Sequence, residues 1–312
     1  MQGDRRVDSG PGGWYRPPPF HGDSMRVDLH NHSWFSDGII PPTDVVRKAK
    51  EKGVGAMALT DHDCICGIAE ATEEGKRLGV EVIPGIELDA TSEGTDVHIL
   101  GFGFDPKQKN LVDTLDRFLR ERRERVTKMV ALFNEKSGEP PLDFEKDVQP
   151  EFHGIAMIPH LINCLAKRGY DPVKTRKTWF SNGKPCYIPR GYEYSAAEAI
   201  RLVHDAGGVA VLAHPYEYFP DKDGAVLLPF VEKLLAYGLD GVEVFYAYDL
   251  NSVIWGKTKV VGWEPEKRAM EEFCRSRDLL MTGGGDWHGR GDVMGCMDLP
   301  YELVERIRAR CK

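Results

Sequence analysis

The chain has 312 residues, 41% of them hydrophobic and 29% charged, with a net charge of −8 at pH 7. That length allows one large or two modest domains. No apolar run reaches the ~20 residues that span a bilayer, the N-terminus lacks the apolar core of a secretory signal, and the acidic balance argues against a general nucleic-acid coat protein.

Residues 1–24 are rich in Gly, Pro and polar residues and show no periodicity, so they read as a flexible N-terminal tail. From Arg26 onward, short apolar runs alternate with helical stretches, the pattern of an α/β domain with a parallel sheet. Seven runs read as strands: 26–29, 55–59, 80–86, 96–102, 208–213, 240–246 and 279–282. Helices are expected over 43–52, 67–78, 195–206, 229–237, 265–277 and 301–310. Ser195 and Glu198 have the spacing of a capping box, and Gly53 and Gly79 stand at expected helix ends. Between the fourth and fifth strands, residues 107–198 are too many for a loop. They open with a helix over 111–134 and read as an inserted, mainly helical cap subdomain, leaving 25–106 and 199–312 as the main body. The insert carries 17 Lys and Arg against 13 Asp and Glu, a net +4, which leaves −12 for the rest. A body that holds cations and a segment that receives an anion would have this distribution. The cysteines number seven, with no paired framework, and Cys64 and Cys66 are spaced too closely for the usual zinc-finger or redox motifs. They read as reduced thiols in a cytoplasmic protein.

The chemistry clusters at the strands. The first run ends in His30 and His32, with Asp37 in the following turn. The second gives Asp61, His62 and Asp63, the third Glu87, the fourth His98 and the fifth His214. The sixth holds Glu243, and the last ends in Asp286 and His288. In a closed parallel barrel all strand C-termini open on one face, so residues spread along the chain converge there. Imidazole and carboxylate together are ligands for Zn, Mn or Fe. Residues i and i+2 of a strand point to one side, which lets His30 and His32 reach one ion; Asp286 and His288 repeat the spacing. A carboxylate such as Glu87 can bridge two ions. Nine candidate ligands are too many for one ion and imply two or three.

The segments "DLHNHSWFSDG", "LTDHD", "GIEL", "HILGF", "VLAHP" and "GGGDWHG", in this order, resemble the PHP (polymerase and histidinol phosphatase) superfamily over about residues 25–106 and 199–312. Within it the chain is most similar to stand-alone phosphoesterases, some of which remove the 3'-phosphate of nucleoside 3',5'-bisphosphates or trim short RNA from the 5' end. The resemblance implies a distorted seven-stranded β/α barrel with a trinuclear site. His30, His32, Glu87 and Asp286 would bind a first ion, Glu87, His98 and His214 a second, and Asp37, His62 and His288 a third. Manganese is expected first, with iron or zinc as alternatives. Glu87, Asp286 and His214 would serve catalysis, and Asp61 and Asp63 would stand behind the ligands and orient imidazoles. Glu243 stays outside the set. Two departures stand out. Gly285 occupies a position that is often Ser, and Ile158-Pro159-His160 replaces a frequent Arg-Pro-His.

The function expected is hydrolysis of a phosphate ester on a small nucleotide-like substrate by metal-activated hydroxide, with neither long nucleic acid nor membrane as partner. Histidinol-phosphate phosphatase or an exonuclease on longer strands is the alternative. A non-catalytic metal-stabilised module is a third reading, and the intact ligand set speaks against it. In the insert, Arg122 falls within the apolar stripe of the first helix. Either it pairs with a buried acid such as Glu145 or Glu151, or its stem packs while its head reaches water, or it clamps substrate phosphate. Lys184, Arg190 and His160 are lesser candidates for that clamp.

Overall fold

The computed structural model describes residues 25–218, 224–255 and 264–312; the expected tail, residues 1–24, lies outside them. The strands are β1 (Arg26–Asp28), β2 (Val54–Leu59), β3 (Glu81–Ser92), β4 (Thr95–Phe102), β5 (Tyr194–Ser195), β6 (Val209–Leu212), β7 (Gly241–Tyr246), β8 (Leu280–Gly284) and β9 (Leu299–Pro300). They pair in the order β8-β7-β6-β4-β3-β2-β1-β9, with β5 attached to β3. The ring closes between β8 and β1: just beyond β1, Leu29 N–H donates to Gly283 O at 3.0 Å, and Asn31 bridges Trp287. With the two-residue strands β5 and β9 set aside, seven strands form the expected distorted barrel.

Helices α1 (Pro42–Glu51), α2 (Ile68–Leu78), α6 (Ala196–Asp205), α7 (Gly224–Leu235), α9 (Glu264–Ser276) and α10 (Glu302–Arg310) follow the expected positions. α7 starts earlier than expected and runs through Pro229, and a helix that was not expected, α8 (Tyr248–Trp255), follows β7. The capping box of α6 is formed: Glu198 N–H donates to Ser195 Oγ at 3.2 Å, and Ser195 N–H to Glu198 Oε2 at 2.8 Å. β2 is buried along its whole length, as a strand covered on both faces must be.

The sheet is mixed rather than parallel. β3 continues to Ser92 and turns through Glu93 and Gly94, both at positive φ, directly into β4. A two-residue connection of this kind makes an antiparallel hairpin, whereas a parallel pair needs a crossover of about a dozen residues. β4 is therefore antiparallel to both β3 and β6; Glu87 lies within β3 rather than just past its end, and His98 lies within β4 as expected.

Asp28 fastens the seam. Its carboxylate accepts from the N–H groups of His30 (3.2 Å), Gly285 (3.2 Å) and Gly295 (2.7 Å), and from Asn31 Nδ2 (3.0 Å). Burial outweighs these bonds and lifts its pKa to about 6. A Cβ on Gly284 would stand 2.5 Å from His30 N, so this glycine is required for β8 to lie against β1.

The excursion between β4 and β5 contains α3 (Lys109–Lys136), α4 (Ile158–Lys167) and α5 (Pro172–Thr175). α3 joins two cores. Leu111, Leu115 and Phe118 pack with Ala199, Leu202 and Val203 of α6, whereas Val126, Met129, Val130 and Phe133 pack with Leu142, Phe152, Leu161 and Phe180 of the insert itself. Residues 194–198 form β5 and the start of α6. Among the described residues no helix is long and apolar enough to cross a membrane.

Candidate metal centre

Glu87 is the hub. Its side chain is 1% exposed, with Oε2 at 3.1 Å from His30 Nε2, 3.2 Å from His32 Nε2 and 3.4 Å from His62 Nε2. Oε1 lies 2.8 Å from His98 Nδ1 and 3.0 Å from His214 Nε2. Asp286 Oδ1 stands 3.1 Å from His32 Nε2, and Asp37 Oδ1 stands 3.1 Å from His288 Nε2. Four groups offer ligand atoms within 4.8 Å of one another: His30, His32, Glu87 and Asp286; Glu87, His98 and His214; His32, Asp37, His62 and His288; and His62, Asp89 and His98. All nine expected ligands are brought together. Asp89 is a tenth candidate that the sequence reading missed. It lies two residues beyond Glu87 on β3 and opposite His98 on β4, so the spacing rule applied to His30 and His32 would have found it.

The backbone turns sharply to present these groups. His214 (φ 23°), Asp286 (φ 52°) and Asp63 (φ 44°) occupy the left-handed region, which costs a residue with a Cβ of order 1–3 kcal/mol.

Several imidazoles are oriented from behind. Glu243 Oε1 is 2.9 Å from His30 Nδ1, and Glu243 Oε2 accepts His214 N–H at 2.8 Å. Asp89 Oδ1 is 2.9 Å from His62 Nδ1. Holding a proton on Nδ1 leaves the Nε2 lone pair free for an ion. Tyr246 O–H donates to Asp286 Oδ2 at 2.7 Å. Neither Asp61 nor Asp63 touches an imidazole directly, although Asp61 reaches His32 through Ser36 Oγ, which lies 3.4 Å from His32 Nδ1. Asp61 accepts from Ser33 N–H (2.7 Å), Ser33 Oγ (2.7 Å) and Ser36 Oγ (2.6 Å) and so shapes the turn before Asp37. Asp63 accepts Asp89 N–H at 3.2 Å and faces Arg122.

The cluster is short of positive charge. Burial depresses the His30 imidazole, but Glu243, Glu87 and Asp286 outweigh it and hold its pKa well above the ordinary range. Against the same burial, Asp286 and Glu87 raise His32 to about 9. Burial raises Glu87, Asp37 and Asp286, yet the surrounding imidazoles hold all three below ordinary carboxylates. His214 Nδ1 is buried without a hydrogen-bond partner, and His32 Nε2 and Asp37 Oδ1, although 3.1 Å from Asp286 and His288, meet them outside hydrogen-bond geometry, an expensive state for polar atoms unless something else binds them. Crowded carboxylates, oriented imidazoles and unpaired lone pairs together fit divalent cations.

The cluster opens into a cavity of about 540 Å³ whose opposite wall belongs to the insert. Arg122 lines it but pairs with Asp63 (3.4 Å) rather than with Glu145 or Glu151, which are taken by Arg123 and Lys167. Arg190 lines it and pairs with Asp89 at 2.8 Å. His160 does not line it, because both ring nitrogens are engaged by the backbone of Met157 and Ser36. Lys184 is exposed and outside the lining. Two cations that the sequence reading missed, Arg125 and Arg176, do line it. Arg125 lies one helical turn beyond Arg122 on α3, which was the available signal.

The family model described as PHP domain matches residues 28–171. A 5'-3' exoribonuclease of Haemophilus influenzae is 31% identical over 273 residues, covering 85% of this chain and 90% of its own length. A 3',5'-nucleoside bisphosphate phosphatase of Chromobacterium violaceum is 31% identical over 285 residues, covering 88% and 92%. The solved structure of a Bifidobacterium adolescentis protein assigned as a metal-dependent phosphoesterase superposes with a TM-score of 0.76 at 28% identity, covering 95% of this chain and 98% of its own. With the motifs, the barrel and relatives aligned along nearly their whole length all in agreement, the chain belongs to the PHP family of metal-dependent phosphoesterases.

Proposed function

We propose that the chain hydrolyses a phosphate ester on a small nucleotide carrying a second phosphate, using two to three divalent ions, manganese foremost and iron or zinc otherwise. The reading rests on one observation: the ligand cluster faces, across a single cavity, a guanidinium with no carboxylate partner among the described residues. Arg125 Nε donates to Ile188 O at 2.7 Å, and its head lies 5.6 Å from the Tyr187 ring centroid. Burial, with the charges of Arg122 and Arg190 nearby, pulls its pKa down to about 10. A half-buried cation beside two others is relieved by a bound anion. Arg176 joins it on the same wall without an ion-pair partner among the described residues.

His30, His32, Glu87 and Asp286 would hold one ion, Glu87, His98 and His214 a second, and Asp37, His62 and His288, with His32 beside them, a third. Divalent ions supply Lewis acidity and lower the pKa of water toward neutrality. Glu243 and Asp89 keep His30 and His62 in the tautomer that coordinates through Nε2. Arg125 and Arg176 hold the phosphate that is not cleaved, and Met157, Ile158 and Phe180 give an apolar wall for the rest of the substrate. Residues 107–198 thus act as a cap. The cavity volume lies within the roughly 300–1,000 Å³ of small-ligand sites.

A nucleoside 3',5'-bisphosphate and the 5' end of a short RNA present the same pair, a 5'-phosphate and a scissile 3'-phosphate. The names of the phosphatase and exoribonuclease relatives support a reading toward these two substrates rather than histidinol phosphate. The test is phosphate or nucleotide release with Mn²⁺ across bisphosphates, short oligoribonucleotides, aryl phosphates, histidinol phosphate and long duplex DNA. Either of the first two should be preferred. Arg125→Met should lower kcat/KM by ~1.5–3 kcal/mol for the preferred substrate and not for an aryl phosphate. A preference for histidinol phosphate or long duplex DNA overturns the proposal.

A further inference from the structure

We propose that the insert sets the ion affinity of the Asp37, His62 and His288 site, and that the barrel alone sets the affinity of the other two. The inference rests on the metal reading above.

Three insert side chains converge on the two ligands of this site that lie in turns after β1 and β2. Arg190 NH2 is 2.8 Å from Asp89 Oδ2, and Asp89 Oδ1 is 2.9 Å from His62 Nδ1. An unbroken chain therefore runs from an insert guanidinium through a carboxylate to a ligand imidazole. His98 Nε2 stands off from the same carboxylate at 3.7 Å. Arg122 bonds Asp63, the residue after His62, and Asp63 in turn accepts Asp89 N–H. His160 acts on Asp37. Its Nδ1 accepts Met157 N–H at 3.0 Å, which places its proton on Nε2, and Nε2 donates to Ser36 O at 2.7 Å, one residue before Asp37.

The backbone strengthens this grip. His153 N–H donates to Trp34 O at 3.2 Å and Ile155 N–H to Phe35 O at 2.9 Å. Between them, a Cβ on Gly154 would lie 2.2 Å from Phe35 O, so only glycine lets the insert seat this closely on the turn.

The other two sites have different supports. His30 and His214 are held by Glu243 and Asp286 by Tyr246, both from β7. His98 N–H donates to Tyr218 Oη at 2.9 Å, and Glu87 sits in the β3–β4 ladder. Partners behind a ligand typically tune ion affinity ~10–100-fold. Cutting Arg190 away should therefore weaken one ion and spare the rest. Arg190 and Asp89 are positioning residues on this account.

The experiment is Mn²⁺ titration of the metal-free full chain by calorimetry, with bound ions counted by elemental analysis, for wild type, Arg190→Met, Arg190→Lys, Asp89→Asn and the remote insert variant Lys184→Met. Arg190 is 27% exposed, so its replacement leaves the core intact. Arg190→Met and Asp89→Asn should bind one equivalent ~10–100-fold more weakly with the remaining equivalents unchanged. Arg190→Lys should recover most of that loss, and Lys184→Met should match wild type. Uniform weakening of all equivalents, or unchanged binding in both Arg190→Met and Asp89→Asn, overturns the inference. Should Arg190→Met not fold, Arg190→Gln takes its place, because Asp89 belongs to β3 and cannot by itself report on the insert. Wild type that takes up no ion refutes the metal reading itself, a result distinct from either.

Discussion

Glu87 and Asp37 flank the same imidazole, His32, at 3.2 Å from Nε2 and 3.8 Å from Nδ1, and are held in different ways. Glu87 lies mid-strand, opposite Leu100 in the β4 ladder and bridged to His62 on its other side, with 1% exposure. Asp37 lies in a turn, 18% exposed, whose shape depends on Ser33, Ser36, Asp61 and the insert. A ligand on a hydrogen-bonded strand inherits the rigidity of the barrel. A ligand on a turn needs bracing, and here the braces come from a segment that also walls the substrate cavity. On the proposed function, ion binding and substrate binding then share structure on one side of the site and not on the other.

The largest effect is expected from removing the strand-borne hub. Glu87→Gln keeps size and hydrogen bonding but loses the charge facing five imidazoles, so turnover should fall by at least ~100-fold, as much as for any single histidine ligand. The fold, read by circular dichroism, should survive, because the residue sits at the mouth of the barrel rather than in its hydrophobic clusters. Wild-type turnover in this variant would remove Glu87 from the centre.

Glu243→Gln tests the barrel side alone. Its carboxylate holds His30 Nδ1 and His214 N–H, so the ions at those residues should bind ~10–100-fold more weakly, while the ion at Asp37 stays unchanged. Calorimetric titration checks this, and equal weakening at every site would erase the contrast between the two halves.

A subtler effect is the stability of the metal-free protein against pH. His32 is raised from 6.5 to about 9, so its contribution is complete below pH 6.5 and is lost as pH rises through about 9. Glu87, Asp37 and Asp286 are lowered, so theirs is present above the ordinary carboxylate range and is lost as pH falls. The metal-free Tm should therefore peak between about pH 5 and 6.5 and decline toward pH 9. Manganese-loaded protein should stay level between pH 7 and 9, because ligating imidazoles are already neutral. Parallel Tm profiles for the two forms would contradict this.

The candidate ligands were legible because the spacing of side chains on strands is regular. His30 and His32 at i and i+2 reach a common centre, and the ordered motifs placed the other seven. Asp89 obeyed the same rule but was passed over, because the third strand was read as ending at Ile86. That early end also hid the Glu93-Gly94 hairpin and with it the antiparallel course of β4. Arg122 was legible as a cation on an apolar face, but its acid, Asp63, lies 59 positions away, beyond what helix periodicity can report. His160 and Lys184 were proposed from charge alone, and charge does not say which way a side chain in an irregular insert faces. Asp61 follows a related pattern: its oxygens meet the serines of a turn formed by another strand end, and through Ser36 it backs His32 rather than its sequence neighbour His62.

A cluster of this make-up should hold more than one ion. Elemental analysis of gently purified protein, repeated after Mn²⁺ reconstitution of the metal-free chain, tests it most directly. Wild type should hold more than one ion per chain, and Glu87→Gln fewer. One ion or none in wild type, with no further uptake on reconstitution, would contradict it.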